Sequence, residues 1–483
     1  MHVRTAPAPS PFALDGAARE RLAERIAAAS ALARQRRSRS VAAITVAVPA
    51  ELDLSAAVLA ARRADDRFFC LEQPDREGHA LATLGAAAVI ESRGPRRFTA
   101  AAAAARELGR VTLADDPARD PERPPGAGPV FVGGFSFAGD GGGSPEWSPL
   151  APASLVLPEI ALARQGREAR MTVSVAVDGH EAPEALLDRA ARRVDDLWPA
   201  AMPLLDPHPA EPTRVASAAP PSHYELAVDR AVERIRAGEL DKIVLAREVR
   251  AHSARAYDPA AVLGALRDVF PACYCWCVGA PGLAFVGASP ELLVRRDGQR
   301  AQTVALAGTT RRSADPAVDD HLGERLLQSP KDREEQAIVA RRIERTLEPV
   351  SLWVAAAEEP MLVKVHNVQH LATAIRAQLA EPVPAVELAG LLHPTPAVGG
   401  EPREVALPLI PALEGLDRGW YAGAVGWTDL SEDGEFSVAL RCALLRGRVG
   451  HLYAGGGIVR DSVPAEELAE TEVKLQALLP LLA

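Results

Sequence analysis

Residues 242–249 read Lys-Ile-Val-Leu-Ala-Arg-Glu-Val, a short apolar run with β-branched side chains, and they predict a strand. Just upstream, Ser222 and Glu225 form a capping box, which predicts a helix that begins there and runs to about residue 237. Gly238 is suited to end that helix, because glycine adopts the left-handed conformation without steric cost. The stretch therefore predicts a helix followed by a buried strand that begins with a lysine.

Further strands and helices follow one another in groups along the chain. Strands are predicted over 40–48, 87–92, 283–287, 292–296, 302–306, 423–427, 436–442 and 449–455. Helices are predicted over 17–34, 183–197, 320–327, 331–347, 370–378, 386–392 and 465–479. Groups of strands with helices between them indicate an α+β fold, in which large, mostly antiparallel sheets are covered by helices.

The chain has 483 residues and a formal charge of −10, from 54 basic and 64 acidic residues. A general nucleic-acid or anionic-membrane binder would need the opposite sign, so neither partner is expected. No apolar run approaches the ~18 residues of a membrane span, and the first residues do not read as a secretory signal. The low cysteine content is typical of a reducing compartment. We therefore expect a cytoplasmic protein.

Cysteine and proline spacing gives two further predictions. Cys273, Cys275 and Cys277 alternate, which predicts small buried residues on one face of a strand rather than a zinc site. The proline-rich stretches 116–129 and 206–221 predict loops, because proline fixes φ and removes a backbone donor. The second stretch predicts a boundary near residue 215, between an Ala- and Arg-rich half and a half denser in polar motifs.

Two predicted helices carry acidic pairs at helical spacing. Asp332 and Glu335 share one face, and Glu467 and Glu470 do the same, with Lys474 four residues further on. If the two faces converged, their charges would repel, and a hard divalent cation such as Mg²⁺ would relieve that repulsion. If they do not converge, they are solvated surfaces on which Glu470 pairs with Lys474, which is the more common arrangement.

Two ionisable residues stand at the entry of predicted apolar strands. Burial of Lys242 would disfavour its charged form and make it a usable general base, whereas a strand-edge lysine can equally point to water. Glu291 is either a capping residue or an acid that apolar surroundings keep protonated. A neutral amine and a protonated acid are the groups that general acid–base catalysis uses. His370 has only His366 at helical spacing, and a structural role is more typical of such a histidine.

Taken together and in order, nine segments resemble the chorismate-utilising enzymes, which include isochorismate, salicylate, anthranilate and aminodeoxychorismate synthases. The segments are 242–247, 287–293, 306–309, 329–335, 370–371, 393–400, 440–443, 454–459 and 470–475. The first half matches loosely, chiefly over 132–137. The resemblance implies one compact α+β unit whose two halves enclose a central pocket, with 1–215 as a divergent structural half and 216–483 as the chorismate-binding catalytic half.

The resemblance implies chorismate as substrate and Mg²⁺ as cofactor. Glu335 and Glu470 match the family's metal ligands, and Asp332 and Glu467 match their supporting carboxylates. The ion would hold the ring carboxylate of chorismate, and Arg441 matches a position that binds the enolpyruvyl carboxylate. The residues implied to contact the substrate are Gly308, Thr309, His370, Ala397, Tyr421, Arg441, Gly455 and Lys474.

Within the family, Lys242 stands where the ammonia-using relatives carry glutamine, which implies water as the nucleophile. Lys242 would deprotonate the water for attack at ring C2, Glu291 would protonate the departing C4 hydroxyl, and the product would be isochorismate. Ala397 also resembles the isochorismate synthases, since salicylate-forming relatives typically have threonine there. We therefore expect an Mg²⁺-dependent isochorismate synthase. A salicylate synthase and a catalytically inactive, chorismate-binding paralogue are the alternatives.

The resemblance also bears on partners and includes departures from the family pattern. A monomer without a glutamine amidotransferase subunit is expected, and its product could enter menaquinone, catechol siderophore or salicylate synthesis.

Gln336 replaces a common histidine, Glu401 replaces phenylalanine or isoleucine, and Leu440 and Gly456 stand where isoleucine and alanine are frequent. Gln336 could change how Glu335 is oriented, because neighbouring groups tune metal ligands.

Overall fold

The helices of the chain lie against two open β-sheets. The structure is a computed structural model that describes residues 10–116, 120, 122–206, 211–365 and 368–482. Its α-helices are α1 (Gly16–Arg36), α2 (Leu54–Ala61), α3 (Arg97–Arg110), α4 (Pro183–Asp195), α5 (Pro221–Arg236), α6 (Pro259–Val269), α7 (Pro316–Gln328), α8 (Pro330–Leu347), α9 (Ala385–Leu392), α10 (Arg403–Glu414), α11 (Pro464–Leu475) and α12 (Leu479–Leu482).

The strands are numbered in chain order and divide between the two sheets. The larger sheet contains β1 (Ser40–Ala47), β2 (Phe68–Gln73), β3 (His79–Leu84), β5 (Thr112–Leu113), β8 (Ile160–Gln165), β9 (Glu168–Val177), β10 (Arg214–Ser217), β11 (Lys242–His252), β12 (Tyr274–Ala280), β13 (Leu283–Ser289), β19 (Gly400–Glu401), β22 (Cys442–Arg446) and β23 (Val449–Ile458). The smaller sheet contains β4 (Ala88–Ser92), β6 (Val130–Phe135), β7 (Ala153–Leu157), β14 (Leu292–Asp297), β15 (Arg300–Arg311), β16 (Ser351–Ala356), β17 (Met361–Lys364), β18 (Val368–Leu379), β20 (Ala424–Asp429) and β21 (Gly434–Val438).

Both sheets contain strands from both halves of the chain. The larger sheet has the order β10-β11-β23-β22-β13-β12-β2-β3-β8-β9-β1-β5, and β19 pairs with β11. The smaller has the order β16-β18-β15-β14-β21-β20-β6-β7-β4, and β17 pairs with β18. The halves meet where β12 pairs with β2 and where β20 pairs with β6, both antiparallel. The α+β class predicted from the sequence is confirmed, and the boundary near residue 215 stays a prediction.

The core follows the two-residue period of the strands. In β12, Trp276 and Val278 pack into a cluster shared by both sheets, whereas Cys275 and Cys277 point to the opposite face, into a second cluster with helices α1, α2 and α6. Cys273 belongs to that second cluster as well. Alternate side chains of a strand face opposite sides, so both faces of this central strand are buried. The prediction of buried cysteines on one strand face is confirmed for Cys275 and Cys277, whereas Cys273 is buried in the same cluster but precedes β12.

The two acidic helices are held by ordinary capping and packing. Ser329 caps α8, because its side chain accepts a hydrogen bond from the backbone of Asp332, and Pro330 occupies the first helical position. The buried face of α8 packs against β15 and β18. Helix α11 begins at Pro464 and packs against β23 and α5. The two helices are thereby fixed over strands of different sheets.

Three predicted elements differ from the structure. The helix predicted over 370–378 is wrong, because these residues belong to β18. Alanine, leucine and arginine favour helices, but β18 pairs with β15 on one edge and with β16 and β17 on the other, and this pairing outweighs local propensity. The single strand predicted over 436–442 is two strands, because the chain turns between them at Arg441, whose φ is 49°. The last predicted helix ends at Leu475 rather than at residue 479.

The two proline-rich stretches are only partly described. Residues 117–119 and 121 of the first and 207–210 of the second lie outside the described residues, as does His366. The described part of the first stretch is loop, and part of the second, Arg214–Ser217, is β10. Among the described residues, no helix combines the length and the apolar character that a membrane crossing requires.

Candidate active site

A cavity lies where β11, β15, β18 and β23 meet the helices α8 and α11. Its empty space, open mouth included, is about 920 Å³, which suits a small-molecule ligand. The sequence-predicted residues that line it are Glu291, Gly308, Thr309, Asp332, Glu335, His370, Ala397, Tyr421, Arg441, Gly455, Glu467, Glu470 and Lys474. Lys242 lies behind this wall, against Glu335. The structure therefore brings all the predicted site residues together.

Lys242 begins β11 and has no exposed surface. Its Nζ lies 2.8 Å from Oε1 of Glu335, and the two groups form an ion pair. Their relative orientation does not meet the geometry of a hydrogen bond. Gly457 leaves the room for this pair, since a Cβ there would lie 2.4 Å from Oε1 of Glu335 and 3.0 Å from Cε of Lys242. Of the two alternatives for Lys242, the structure shows the buried one.

Glu291 lies at the entry of β14 and is 3% exposed. Burial raises the pKa of its carboxyl to about 8, and the positive charge of Lys242 opposes that rise only in part. The carboxyl is therefore protonated at neutral pH, and its position in the cavity wall makes it available as a proton donor.

The two acidic helix faces converge on the cavity rather than facing solvent. Burial raises the pKa of Glu467, and repulsion from Glu470 adds to the rise. Burial would also raise the pKa of Glu470, but the ammonium of Lys474, 2.6 Å from its Oε1, outweighs burial together with the charges of Lys331 and Arg441, and the net shift is downward. Burial and the nearby charge of Glu335 raise the pKa of Asp332. Asp332 and Glu467 are thus under electrostatic stress that a bound cation would relieve, whereas the nearby cationic side chains already stabilise the charge of Glu470.

The donor set fits Mg²⁺ in its chemistry, since this ion prefers oxygen ligands. Within the described ranges, no three His, Cys, Asp or Glu side chains converge closely enough to enclose an ion by themselves. Mg²⁺ is commonly held by one or two carboxylates, with water and substrate oxygens completing its shell. Glu335 from α8 and Glu470 from α11 can supply such a partial site.

The opposite part of the cavity is rich in donors. Nε2 of His370 lies 3.3 Å from Nη2 of Arg441, which can only donate, so this nitrogen is the acceptor. Nδ1 of His370 therefore carries the hydrogen and faces the carbonyl of Gly308 at 3.3 Å and Oγ1 of Thr309 at 3.0 Å. Burial, with the charges of Arg441 and Lys474, lowers the pKa of His370 well below its usual value. This histidine is neutral and orients Arg441.

Two backbone features shape the cavity. The pairing of β15 with β18 shifts register between Ala307 and Thr309, and Gly308 has a φ of 73°. A Cβ at Gly308 would lie 3.0 Å from Cβ of Asp332, so glycine permits the close approach of β15 to α8. At the part of the cavity wall formed by α11 and β23, Nζ of Lys474 donates a hydrogen bond to the carbonyl of Gly455 over 2.8 Å.

Sequence reasoning missed four polar residues of the cavity and its wall. Lys331 and Tyr453 line the cavity; Nζ of Lys331 is 3.4 Å from Oε1 of Glu467, and the ring of Tyr453 stacks on Tyr421 at 5.2 Å. Arg418 also lines the cavity and is paired with Glu414 behind it. Glu414 and Arg418 are four residues apart, but α10 ends at Glu414, so helical spacing does not bring the two side chains together and could not have identified the pair.

The departure at Gln336 has a structural explanation. Its side-chain nitrogen donates to the carbonyl of Ala305 over 2.9 Å and to Oγ1 of Thr373 over 3.0 Å. The side chain therefore connects α8 to β15 and β18 and makes no hydrogen bond with Glu335.

Glu401, the second departure, lies opposite Lys242 in the pairing of β19 with β11. Arg342 of α8 lies 3.5 Å from the carboxylate of Glu401.

Comparison with known proteins gives a consistent set of matches. The family model described as chorismate binding enzyme matches residues 25–483. The salicylate biosynthesis isochorismate synthase of Pseudomonas aeruginosa is 38% identical over 412 residues, 84% of this chain and 83% of that protein. Isochorismate synthase MenF of Bacillus subtilis is 34% identical over 355 residues, 74% of this chain and 75% of that protein. The solved structure of MenF, the menaquinone-specific isochorismate synthase from Escherichia coli, aligns with a TM-score of 0.77 at 27% identity, covering 95% of this chain and all of that one.

Proposed function

Because the chain belongs to the family of chorismate-binding enzymes, we propose that it is an Mg²⁺-dependent isochorismate synthase. The observation that carries this proposal is a protonated glutamic acid in the cavity wall, Glu291, and a buried lysine directly behind that wall, Lys242. The names of the relatives described above support the same activity. The family resemblance supports water as the nucleophile, since the relatives that use ammonia carry glutamine at the position of Lys242.

Lys242 acts as the general base in its neutral form. It takes a proton from a water molecule as the water oxygen forms a bond to ring C2 of chorismate. In the ion pair with Glu335 its ammonium carries its full set of protons, so it has to release one to solvent before it can accept the proton of the attacking water. The buried position of Lys242 keeps bulk water from competing for the proton.

Glu291 acts as the general acid. It gives its proton to the C4 hydroxyl, the C4–O bond breaks, and water leaves as both ring double bonds shift by one position. One water enters and one leaves, so the net reaction is an isomerisation to isochorismate. Lys242 ends with one proton more and Glu291 with one fewer, and proton exchange through solvent restores both residues. The raised pKa of Glu291 supports this role, because the carboxyl must carry a proton when the reaction begins.

The remaining residues hold and orient the substrate. Arg441, oriented by His370, and Lys474 provide the positive charge for the enolpyruvyl carboxylate, and Gly308 and Thr309 face the ring. When bound by Glu335 and Glu470, Mg²⁺ would neutralise the ring carboxylate of the substrate. A dianion can thus bind to an acidic protein, because the local charge of the cavity differs from the net charge.

Separation of the products formed from chorismate and Mg²⁺ tests the proposal. Isochorismate alone is expected, whereas salicylate with pyruvate would identify a salicylate synthase. Binding of chorismate without turnover would identify an inactive paralogue. Retention of a stressed acid and a buried base argues against that last case, because a binding protein has no need of either. We further propose that the enzyme acts as a cytoplasmic monomer without an amidotransferase subunit, which gel filtration of the purified protein would test for its oligomeric state.

A further inference from the structure

The edge of β11 has a gap in its strand pairing just after Lys242. One edge pairs continuously with β23. The other edge pairs with β19 at Lys242 and Ile243, and with β10 only from Val249 onward. Between these two short partners, the outward backbone groups of Val244 and Ala246 have no neighbouring strand in the described part of the chain. Buried backbone groups need partners, so something else has to satisfy them.

A buried ion pair fills this gap. Nη2 of Arg418 donates to the carbonyl of Val244 over 2.8 Å, and Oε1 of Glu414 accepts from the N–H of Ala246 over 2.7 Å. Arg418 and Glu414 are bonded to each other by Nε and Oε2 at 3.0 Å and by a second contact between Nη2 and Oε1. Both residues are less than one-tenth exposed. The pair takes the place of a strand along this part of β11.

The same guanidinium reaches the loop that carries Ala397. Nη1 of Arg418 donates to the carbonyl of Val398 over 2.9 Å, and the N–H of Val244 donates to the carbonyl of Gly399 over 2.7 Å. Arg418, Val244, Val398 and Ala397 all line the cavity. One arginine therefore connects the strand that begins with the candidate base to the loop that forms the facing wall.

We propose that Arg418, held by Glu414, is a positioning residue that fixes the strand of Lys242 relative to the loop of Ala397. No contact with the reacting atoms is assigned to it. The loss of activity expected when Arg418 is replaced rests on the proposed function, but the effect of Arg418 on the loop does not. The guanidinium is suited to this role because its fixed fork of donors serves three acceptors at once, whereas a lysine has a single donor nitrogen.

Two variants test the proposal. Arg418→Lys keeps the charge beside Glu414 but cannot reach both the Val244 and Val398 carbonyls. The double variant Glu414→Gln/Arg418→Met removes both buried charges together, a change that proteins often tolerate, and it decides the question if the first variant does not fold. Arg295→Lys is the matched control, because Arg295 makes two hydrogen bonds to buried Glu435, at 2.7 and 2.9 Å, and does not line the cavity.

We expect kcat per folded molecule to fall about 100-fold in both Arg418 variants, because small displacements of catalytic groups have effects of this size. KM for chorismate should change less than about threefold, since Arg441 and Lys474 keep their own contacts. Amide hydrogens of residues 393–399 should exchange faster. Arg295→Lys should keep both kcat and this exchange rate. A role confined to stability would lower the melting temperature and leave kcat per folded molecule unchanged.

The two readouts separate this proposal from the proposed function. Wild-type kcat in a folded Arg418 variant would overturn the positioning role. If the wild-type enzyme does not convert chorismate, the proposed function fails, and the exchange rates of 393–399 decide about Arg418 alone. Faster exchange in the folded variants supports the connection between strand and loop, and unchanged exchange contradicts it.

Discussion

Nζ of Lys242 lies 2.8 Å from Oε1 of Glu335, so the candidate base and a candidate metal ligand are an ion pair in this structure. The pair joins the first residue of β11 to the second turn of α8. Both side chains are largely withdrawn from water, which strengthens the attraction between them. Changes at either residue should therefore affect both proton transfer and metal binding.

Removal of the amine tests the role of Lys242. Lys242→Ala should nearly abolish conversion of chorismate and lower kcat about 10²–10⁴-fold, the usual contribution of a general base. The measurement is isochorismate formation at saturating substrate. Lys364→Ala is a suitable control, because Lys364 is a partly exposed lysine whose partners are Asp319 and Asp320, away from the cavity. Full activity in Lys242→Ala would remove it from the mechanism.

Metal binding should depend on Glu335. Glu335→Gln keeps the size of the side chain and removes its charge, so the affinity for Mg²⁺ should fall by about 10–100-fold. Calorimetric titration with Mg²⁺ measures this directly, without turnover. The neighbouring Glu334 is exposed, and Glu334→Gln should bind the ion as the wild type does. An unchanged titration in Glu335→Gln would count against its assignment as a ligand.

The pH dependence of the reaction should report Glu291. Burial raises the pKa of this acid to about 8. A general acid must be protonated, so on the alkaline side of the profile kcat should fall about tenfold per pH unit above that value. The profile is measured between about pH 6.5 and 9.5, with the folded state checked at each pH. A rate that stays constant to the upper limit would show that the protonated form of Glu291 is not required.

Gly457 should be intolerant of a side chain. In Gly457→Ala the new carbon would lie 2.4 Å from Oε1 of Glu335, a distance that real structures do not show. The Lys242–Glu335 pair would have to shift, and we expect kcat to fall by about 10–100-fold while the protein stays folded. Gly16→Ala is the control, since nothing lies within 4 Å of a Cβ at that position. Wild-type kinetics in Gly457→Ala would show that the pair can move without consequence.

Local sequence signals predicted most strands and helices that surround the site. The strand predicted over 242–249 is Lys242–His252, and the helix predicted over 331–347 is Pro330–Leu347. These elements have strong signals, a β-branched apolar run and an N-terminal cap. The helix predicted over 370–378 failed because its residues favour helices locally, while β15 supplies a strand partner from elsewhere in the chain. Long-range pairing of this kind is not encoded in a local window.

Sequence reasoning identified most residues that form the site, but few of the contacts between them. Family resemblance identified Glu335, Glu470 and Arg441, and the structure brings them to one cavity. The pairing of Lys242 with Glu335 depends on where the fold places α8, packed on β15 and β18, relative to the first residue of β11, which no spacing in the sequence reveals. Arg418 was missed for the same reason, because its acceptors are backbone carbonyls that only the fold brings near it.

The origin of the new hydroxyl group tests the central claim most directly. Chorismate is converted with Mg²⁺ in ¹⁸O-labelled water, and the products are separated and analysed by mass spectrometry and NMR. The account predicts isochorismate with one solvent-derived oxygen at C2 and no pyruvate. Isochorismate without label, or salicylate with pyruvate as the products, would contradict it.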